Sequence, residues 1–338
     1  MEILPKGRKG RLRATLVLAI PLGSAAGIVH LATWMPGRSF DGVPGPLPPE
    51  LADLPDRLAS HVTHLATTIG ARSENAPKGL AEAEQYLSAG LAVSAGAVLR
   101  EAYAGRKGEV ANLVMERRGN ALPEQIIVIG AHYDAVDGTP GADDNASGCA
   151  ALIELARLTV GVRYARTVRF VAWVNEEPPS FQTESMGSLV SARASRARGE
   201  DIRLALSLET VGFFTDEPES QHYPSPFSLF YPDVGNFIGM VGNVASRDAL
   251  HHALTAFRGV GRIPSEGVAF PDVVPGIGWS DHWSYWQAGY PALMVTDTAP
   301  FRNPSYHDAT DDPADLDYTR MARVVEGMLA VIQEAADR

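Results

Sequence analysis

The sequence contains a single cysteine, Cys149, among its 338 residues. No disulfide can therefore form within the chain, and the apolar stretch around Cys149 indicates a small buried residue rather than a nucleophile. Two common hydrolase signatures are also missing: no G-x-S-x-G stretch and no H-E-x-x-H stretch occurs anywhere in the sequence. These absences argue against a serine hydrolase built around a nucleophile elbow and against a zinc peptidase with its ligands on one helix.

Positive charge is scarce beyond the N-terminus. The formal net charge is −11, and the first thirteen residues carry +4, which leaves −15 for the rest of the chain. Because residues 14–338 are acidic overall, they cannot neutralise the phosphates of a nucleic acid, and we expect no nucleic-acid partner. The apolar content of 45% and the charged content of 20% are typical of a globular protein. The length allows one large domain or two small ones.

Composition divides the first 50 residues into three segments. Residues 1–13 are basic, residues 14–35 contain no Asp, Glu, Lys or Arg, and residues 36–49 contain five prolines and three glycines. The middle segment is long enough to span a bilayer, and its basic flank favours a cytoplasmic N-terminus. We therefore expect a cytoplasmic tail (1–13), a transmembrane anchor (14–35), a linker (36–50) and a folded domain (51–338) on the extracytoplasmic side, periplasmic or extracellular. A cleaved signal peptide with small residues at 24–26 is the alternative, and the domain would then be secreted.

Apolar strand patterns alternate with helical patterns from residue 51 onward. Strands are predicted over 109–116, 126–131, 167–175, 204–209, 226–231 and 290–296. Helices are predicted over 58–69, 80–91, 145–158, 248–257 and 320–335. This alternation predicts an α/β fold with three layers, α/β/α, around a mixed but mostly parallel central sheet.

Several potential metal ligands lie around the strand 126–131. His132 and Asp134 come at its C-terminal end, where open α/β sheets bind their ligands, and Asp143 and Asp144 come just before the next helix. Histidine and carboxylates on short loops are suitable ligands for zinc. The sequence therefore predicts a metal site at this end of the sheet.

Further polar residues follow other strands and could complete the same site. Glu176 and Glu177 directly follow a buried strand, so one could bind metal while the other accepts a proton. Glu209 ends a third strand. Tyr306 and His307 could supply a hydroxyl donor and a second nitrogen ligand. Asp281, in the stretch WSDHWSYW, is a candidate supporting residue around the ligands.

Five motifs together resemble the co-catalytic dizinc aminopeptidases of peptidase family M28, clan MH. The motifs are AHYDAVDGTPGADDNASG, NEEPPSF, SLETVGFF, WSDHWSYW and NPSYHDATDD. The resemblance extends from about residue 58 to the C-terminus, and it implies a zinc-exopeptidase fold of the phosphorylase/hydrolase-like type with two zinc ions. The resemblance implies that Asp143 bridges the two ions, that His132 and Glu209 complete the coordination of one ion, and that Glu177 and His307 complete the coordination of the other. It also implies that Glu176 is the general base and that Tyr306 stabilises the oxyanion. Asp134 would orient His132, and Asp144 would shape the loop.

The resemblance implies an enzyme that removes N-terminal residues from peptides with a free N-terminus. A glutaminyl-cyclase-like aminoacyltransferase is an alternative on the same fold, and a receptor-like ectodomain without catalysis is a third. Glu209 occupies a position that is often aspartate in this family, which leaves the metal spacing open. Side-chain preference, dipeptidase or carboxypeptidase activity and oligomeric state also stay open.

Overall fold

A computed structural model describes residues 27, 29, 30, 32–92, 97–225 and 227–338. The strands are β1 (Val98–Ala104), β2 (Glu109–Arg117), β3 (Leu122–His132), β4 (Arg166–Trp173), β5 (Asp201–Glu209), β6 (Ile238–Gly242), β7 (Ser265–Ala269) and β8 (Ala292–Thr296). The helices are α1 (Leu54–Thr63), α2 (Pro77–Ala92), α3 (Gly148–Leu158), α4 (Gly187–Ala197), α5 (Arg247–Val260), α6 (His282–Gln287) and α7 (Tyr318–Asp337). A wider helical turn, His64–Ile69, continues α1.

The strands form one mixed sheet in the order β1-β2-β4-β3-β5-β8-β6-β7. The four central strands, β4, β3, β5 and β8, run parallel to one another. The outer pairs begin with antiparallel contacts, β2 against β4 and β6 against β8. The carboxyl ends of the four parallel strands therefore meet at one edge, where such sheets bind their ligands.

Both faces of the central sheet are buried, as the continuous apolar pattern of the strands predicts. Along β3, Ile127 and Ile129 face a large core with α1, α2, α3, α5 and α7, whereas Ile126 and Val128 face a smaller core with α4 and α6. Successive strand residues point to opposite faces, so one apolar strand serves both layers. The predicted α/β/α architecture and mostly parallel sheet are confirmed.

The structure differs from the expected elements near the β7 edge of the sheet. Residues 227–229 form a single 3-10 turn instead of belonging to a strand. Besides β1 (Val98–Ala104) at the opposite edge, two short strands were not expected: β6 (IGMVG) and β7 (SEGVA) have five residues each and contain glycine. Glycine disfavours strands, so these segments gain their strand structure from pairing with neighbouring strands rather than from local preference.

The segment that precedes the folded domain is attached to it. Met35 and Leu47 pack against the large core. Arg258 donates to the Pro36 carbonyl, and the backbone N–H of Ser265 donates to the Ser39 hydroxyl. The segment 36–50 is thus irregular, as its prolines suggest, but it is not a free linker.

Most of the predicted anchor, 14–35, lies outside the described residues. In the part of the chain that is described, no helix has the length and apolar character needed to cross a membrane.

A buried glutamate joins α1 to α3 on the large-core side. Glu154 accepts hydrogen bonds from Arg57 at 2.9 Å and from Arg157 at 2.7 Å, and its carboxylate lies 3.1 Å from His61 Nε2. Burial alone would raise the pKa of Glu154, but hydrogen bonds with His61, Arg57 and Arg157 outweigh it and lower the pKa to about 2. The ionised carboxylate therefore stabilises the contact between the two helices.

We expect Glu154→Gln to lower the free energy of unfolding by roughly 3 kcal/mol near neutral pH, the value of a pKa shift of about two units. The folded-state pKa lies below the unfolded value, so this stabilisation is complete above about pH 4.3 and disappears as the pH falls toward 2. Urea unfolding of both proteins from pH 7 to pH 3 measures the difference, which should shrink with acidification. The control is Glu124→Gln, because Glu124 is exposed and its ion pair with Arg118, at 3.3 Å, is exposed as well. An equal loss in both variants would contradict the special role of Glu154.

Candidate metal centre

Histidine and carboxylate side chains meet at the carboxyl edge of the parallel strands. His132 ends β3, Glu176 and Glu177 follow β4, and Glu209 ends β5. Asp144 comes from the loop between β3 and α3, and His307 from the loop before α7. Apart from His307, which is partly exposed, all of these side chains are buried. This arrangement agrees with the prediction that side chains from several strand ends meet at one site.

Asp144 lies between the two histidines. Its Oδ1 is 3.3 Å from His132 Nε2, and its Oδ2 is 3.0 Å from His307 Nε2. Glu209 Oε2 is 3.4 Å from His132 Nε2, and Glu177 Oε2 is 3.5 Å from His307 Nε2. Among the described residues, two groups of three potential ligands share Asp144, one with His132 and Glu209 and the other with Glu177 and His307. A third group consists of His132, Glu176 and Glu177.

The bridging position expected for Asp143 is occupied by Asp144 instead. Asp143 Oδ1 accepts a hydrogen bond from the Gly212 backbone N–H at 3.0 Å, and its Oδ2 accepts one from Asn303 Nδ2 at 3.1 Å. The Asp143 carboxylate is thus directed away from the histidines and links three loops. The two assigned roles are reversed, because Asp143 shapes the loop and Asp144 lies at the centre of the cluster.

Hydrogen bonds from distant residues hold the loop that carries Asp144. The Asp311 carboxylate accepts the backbone N–H groups of Asp143 and Asp144 at 3.0 and 3.2 Å. Asn145 Nδ2 donates to the Leu208 carbonyl at 2.8 Å, which joins the loop to β5. Arg72, which is almost fully buried, donates to the Gly141 carbonyl at 2.6 Å. Arg72 lies in none of the five motifs, and Asp311 lies in NPSYHDATDD without a role assigned to it. Only the fold shows that both residues hold this loop.

Asp134 contacts both His132 and the backbone of the pair Glu176 and Glu177. Its Oδ1 accepts the Glu176 backbone N–H and its Oδ2 accepts the Glu177 backbone N–H, each at 3.1 Å. The predicted contact with His132 is made mainly by the Asp134 backbone carbonyl, 3.2 Å from Nδ1, while the carboxylate is 3.6 Å away. A hydrogen-bonded Nδ1 leaves Nε2 free to face the cluster.

Three residues beside the cluster have left-handed backbone conformations. Asn175 precedes Glu176 and has φ 61°, Thr210 follows Glu209 and has φ 49°, and His307 has φ 59°. Residues other than glycine rarely adopt this region, at a cost of roughly 1–3 kcal/mol each, and they concentrate at functional sites. The fold keeps these conformations at the points where three of the side chains enter the cluster.

The cluster carries more negative charge than its two histidines can balance. Burial alone lowers the pKa of His132, but the carboxylates of Glu209 and Glu176 outweigh it and raise that pKa well above its usual value. Burial raises the pKa of Glu177, and the neighbouring charge of Asp144 raises it further. Burial likewise raises the pKa of Glu176. Mutual repulsion among buried carboxylates favours a cation between them.

Glu209 is held by a hydroxyl. Ser280 Oγ donates to Glu209 Oε2 at 2.6 Å and lies 2.9 Å from Ser207 Oγ. Asp281, the predicted supporting residue, is fully buried, and burial raises its pKa to about 7, while the charge of His132 opposes the rise. Ser280 thus contacts a cluster residue directly, whereas the charge of His132 affects the pKa of the buried Asp281.

Tyr306 lies between the cluster and an apolar pocket. Its ring stacks on the His307 ring with centroids 3.8 Å apart. Burial, together with the charges of Asp144 and Glu209, raises the pKa of Tyr306, so its hydroxyl keeps its proton. The adjoining pocket is lined by Glu209 and Tyr306 at one end and by aromatic and aliphatic side chains beyond them.

The residues present fit metal ions. In the described part of the chain, Asp144 Oδ1 and Glu177 Oε1 are buried oxygens without a hydrogen-bond partner, and both carboxylates belong to the ligand groups. Nitrogen and carboxylate oxygen donors in such groups suit zinc. The fold and this cluster are those of an enzyme that works with bound metal ions.

The sequence comparisons identify the family. The profile of peptidase family M28 matches residues 112–332. The uncharacterized protein YfbL of Escherichia coli K12 is 37% identical over 287 residues, which cover 82% of this chain and 87% of that protein. The chain therefore belongs to peptidase family M28. A probable aminopeptidase of Saccharomyces cerevisiae, YDR415C, is 26% identical over 237 residues, covering 66% of this chain and 56% of the yeast protein.

Solved structures share the fold. BSAP, a zinc aminopeptidase from Bacillus subtilis, superposes with a TM-score of 0.66 at 13% identity, covering 85% of this chain and 96% of that chain. A glutaminyl cyclase from Fimbriiglobus ruber superposes with a TM-score of 0.61 at 21% identity, covering 87% of this chain and 97% of that chain. The fold is thus found both in peptidases and in cyclases, and the residues of the site must distinguish the two.

Proposed function

We propose that this peptidase is a zinc aminopeptidase that uses two zinc ions. His132 and Glu209 would bind one ion, Glu177 and His307 the other, and Asp144 both. The observation that carries this proposal is the place of Asp144, whose two oxygens face different histidines at 3.3 and 3.0 Å. Zinc bound there would act as a Lewis acid toward water and the scissile carbonyl.

The remaining residues of the cluster divide the proton transfers and charge stabilisation. Glu176 lies 3.9 Å from His132 Nε2, further than Asp144 or Glu209, and is left to act as the general base. It takes a proton from the attacking water and passes it to the leaving amine. The Tyr306 hydroxyl keeps its proton and donates to the oxyanion that develops on the carbonyl.

Peptides with a free N-terminus are the proposed substrates. The acidic surroundings of the cluster favour a protonated α-amine over a blocked one. The yeast relative is named a probable aminopeptidase and BSAP a zinc aminopeptidase, which supports the same activity here. The chain spans only about half the length of that yeast relative.

A glutaminyl-cyclase-like transferase is the second candidate, because a cyclase shares the fold. The two groups of potential ligands favour a two-metal peptidase over it, since His132 and Glu209 form a complete second group with Asp144.

We expect the purified full chain to bind about two zinc ions and to release amino acids from unblocked but not from N-acetylated peptides. Removal of zinc by a chelator should abolish turnover and lower the melting temperature, because the buried carboxylates then repel one another. Elemental analysis, amino acid release and thermal unfolding measure the three effects. About one zinc ion per chain, together with cyclisation of N-terminal glutamine, would instead support the transferase. Absence of both bound metal and turnover would indicate a binding domain without catalysis.

We also propose that residues 14–35 attach the enzyme to a membrane with its catalytic domain on the extracytoplasmic side. The support is the uncharged apolar segment behind a basic flank. The full chain should sediment with membranes and resist carbonate extraction, and recovery in the soluble fraction would contradict the anchor.

A further inference from the structure

The apolar pocket beside the metal cluster crosses the sheet toward its edge. Its lining begins at Glu209 on β5 and Tyr306, and it ends at Glu266 on β7. The sheet order places β8 and β6 between these strands, so the two glutamate positions lie three strand spacings apart, roughly 14 Å. A substrate side chain that enters from the cluster can therefore be long.

Glu266 is the carboxylate at the far end of this pocket. Among the described residues that line the pocket there is no Lys, Arg or His, and Glu209 and Glu266 provide the carboxylates. Arg258 forms an ion pair with Glu266 at 4.0 Å. Arg258 gives its N–H groups to oxygens of Ser265 and Pro36. Burial raises the pKa of Glu266, and the charge of Arg258 and a hydrogen bond with Ser39 oppose this only in part.

Aromatic residues line the same pocket as Glu266. Tyr223, Phe227, Tyr231 and Trp279 line the same pocket. The Tyr223 hydroxyl donates to the Pro232 carbonyl and the Tyr231 hydroxyl to the Gly267 carbonyl, both within 2.8 Å, so neither proton is directed to Glu266. Faces of aromatic rings attract cations, by roughly 0.5–2 kcal/mol each depending on exposure. A carboxylate at the end of an aromatic pocket is therefore a recognition site for a cation on a long apolar stem.

We propose that this pocket receives the side chain of an N-terminal lysine or arginine and that Glu266 determines this specificity. The inference rests on the proposed aminopeptidase function, since it assigns the residue that is removed. The methylene groups contact the aromatic walls while the ammonium or guanidinium group pairs with Glu266. Short side chains do not reach Glu266, and long neutral ones offer no charge to its carboxylate.

Matched substrates test the proposal on the zinc-loaded full-length enzyme. Lysyl 4-nitroanilide is compared with norleucyl, and arginyl with citrullyl, because each pair differs mainly in the charge of the side chain. We expect kcat/KM to be at least about tenfold higher for the charged member of each pair, a modest charge-pair effect. Equal or faster cleavage of the norleucyl and citrullyl substrates would overturn the inference while leaving the aminopeptidase intact. No cleavage of any unblocked substrate would instead overturn the proposed function.

A variant identifies the responsible residue. Glu266→Gln should reduce the lysyl-to-norleucyl ratio of kcat/KM to within about threefold of unity, whereas exposed Glu124→Gln should keep the wild-type ratio. Zinc content and melting temperature of both variants check that the site and the fold are intact. A wild-type ratio in correctly folded Glu266→Gln would exclude Glu266 as the determinant. If the variant does not fold, the two wild-type substrate pairs still decide whether the pocket prefers a cation.

Discussion

Replacement of Glu176 by glutamine is expected to lower kcat by roughly 10²- to 10⁴-fold, the contribution typical of a positioned general base. Glutamine has nearly the same shape but cannot accept the proton. The Glu176 backbone N–H is bound by the Asp134 carboxylate, so the side chain should keep its place after substitution. Steady-state kinetics on an unblocked peptide gives the loss in kcat, and elemental analysis gives the zinc content.

The zinc content separates this role from metal binding. Glu176→Gln should retain about two zinc ions per chain, whereas Glu177→Gln should retain fewer, because Glu177 lies 3.5 Å from His307 Nε2 on the ligand side of the cluster. Unchanged turnover in Glu176→Gln would remove this residue from the mechanism. Loss of zinc in that variant would show that Glu176 holds metal, an arrangement that its 3.9 Å separation from His132 Nε2 also allows.

Asp144→Asn is expected to weaken zinc binding by more than about 10³-fold, or about 4 kcal/mol. Asp144 belongs to both ligand groups, so one substitution removes a charged oxygen donor from each. Competition with a chelator of known affinity measures the change without relying on turnover. The substitution also removes the carboxylate that lies between the two histidines, at 3.3 and 3.0 Å from their Nε2 atoms.

Asp143→Asn is the matched control, because the two residues are adjacent and equally buried. We expect its zinc affinity to stay within about tenfold of wild type, the lower range for residues that only support ligands. The asparagine oxygen can still accept the Gly212 N–H, although the bond from Asn303 is lost, so some stability should be lost as well. If Asp143→Asn lost more zinc than Asp144→Asn, the reassignment of the bridging position would be wrong.

The strand ends could be located from the sequence because their signals are local. His132, Glu176 and Glu209 each come at the end of an apolar run, and the runs became the central parallel strands β3, β4 and β5. Strands buried on both faces are continuously apolar, and parallel strands direct their carboxyl ends to one edge. The same local signal is weak in glycine-containing β6 and β7, so the edge of the sheet and the pocket with Glu266 were not predicted.

The choice between Asp143 and Asp144 could not be made in this way. The two aspartates are neighbours in the chain, and both precede the same helix. The partners that turn Asp143 away are Gly212 and Asn303, which are 69 and 160 positions distant. Asp311, which holds the loop backbone, is 168 positions from Asp143. No pattern within a short window contains these contacts.

The sequence by itself determined the fold class, the strand ends that carry the ligands, and the kinds of side chain available to bind zinc and transfer protons. These follow from hydrophobic periodicity and from the chemistry of each residue, which are properties of short segments. The tertiary structure alone decided which carboxylate lies between the two histidines, which hydroxyl holds Glu209, and which glutamate closes the pocket. Those features depend on hydrogen bonds and packing between segments that are far apart in sequence and become neighbours only when the sheet assembles.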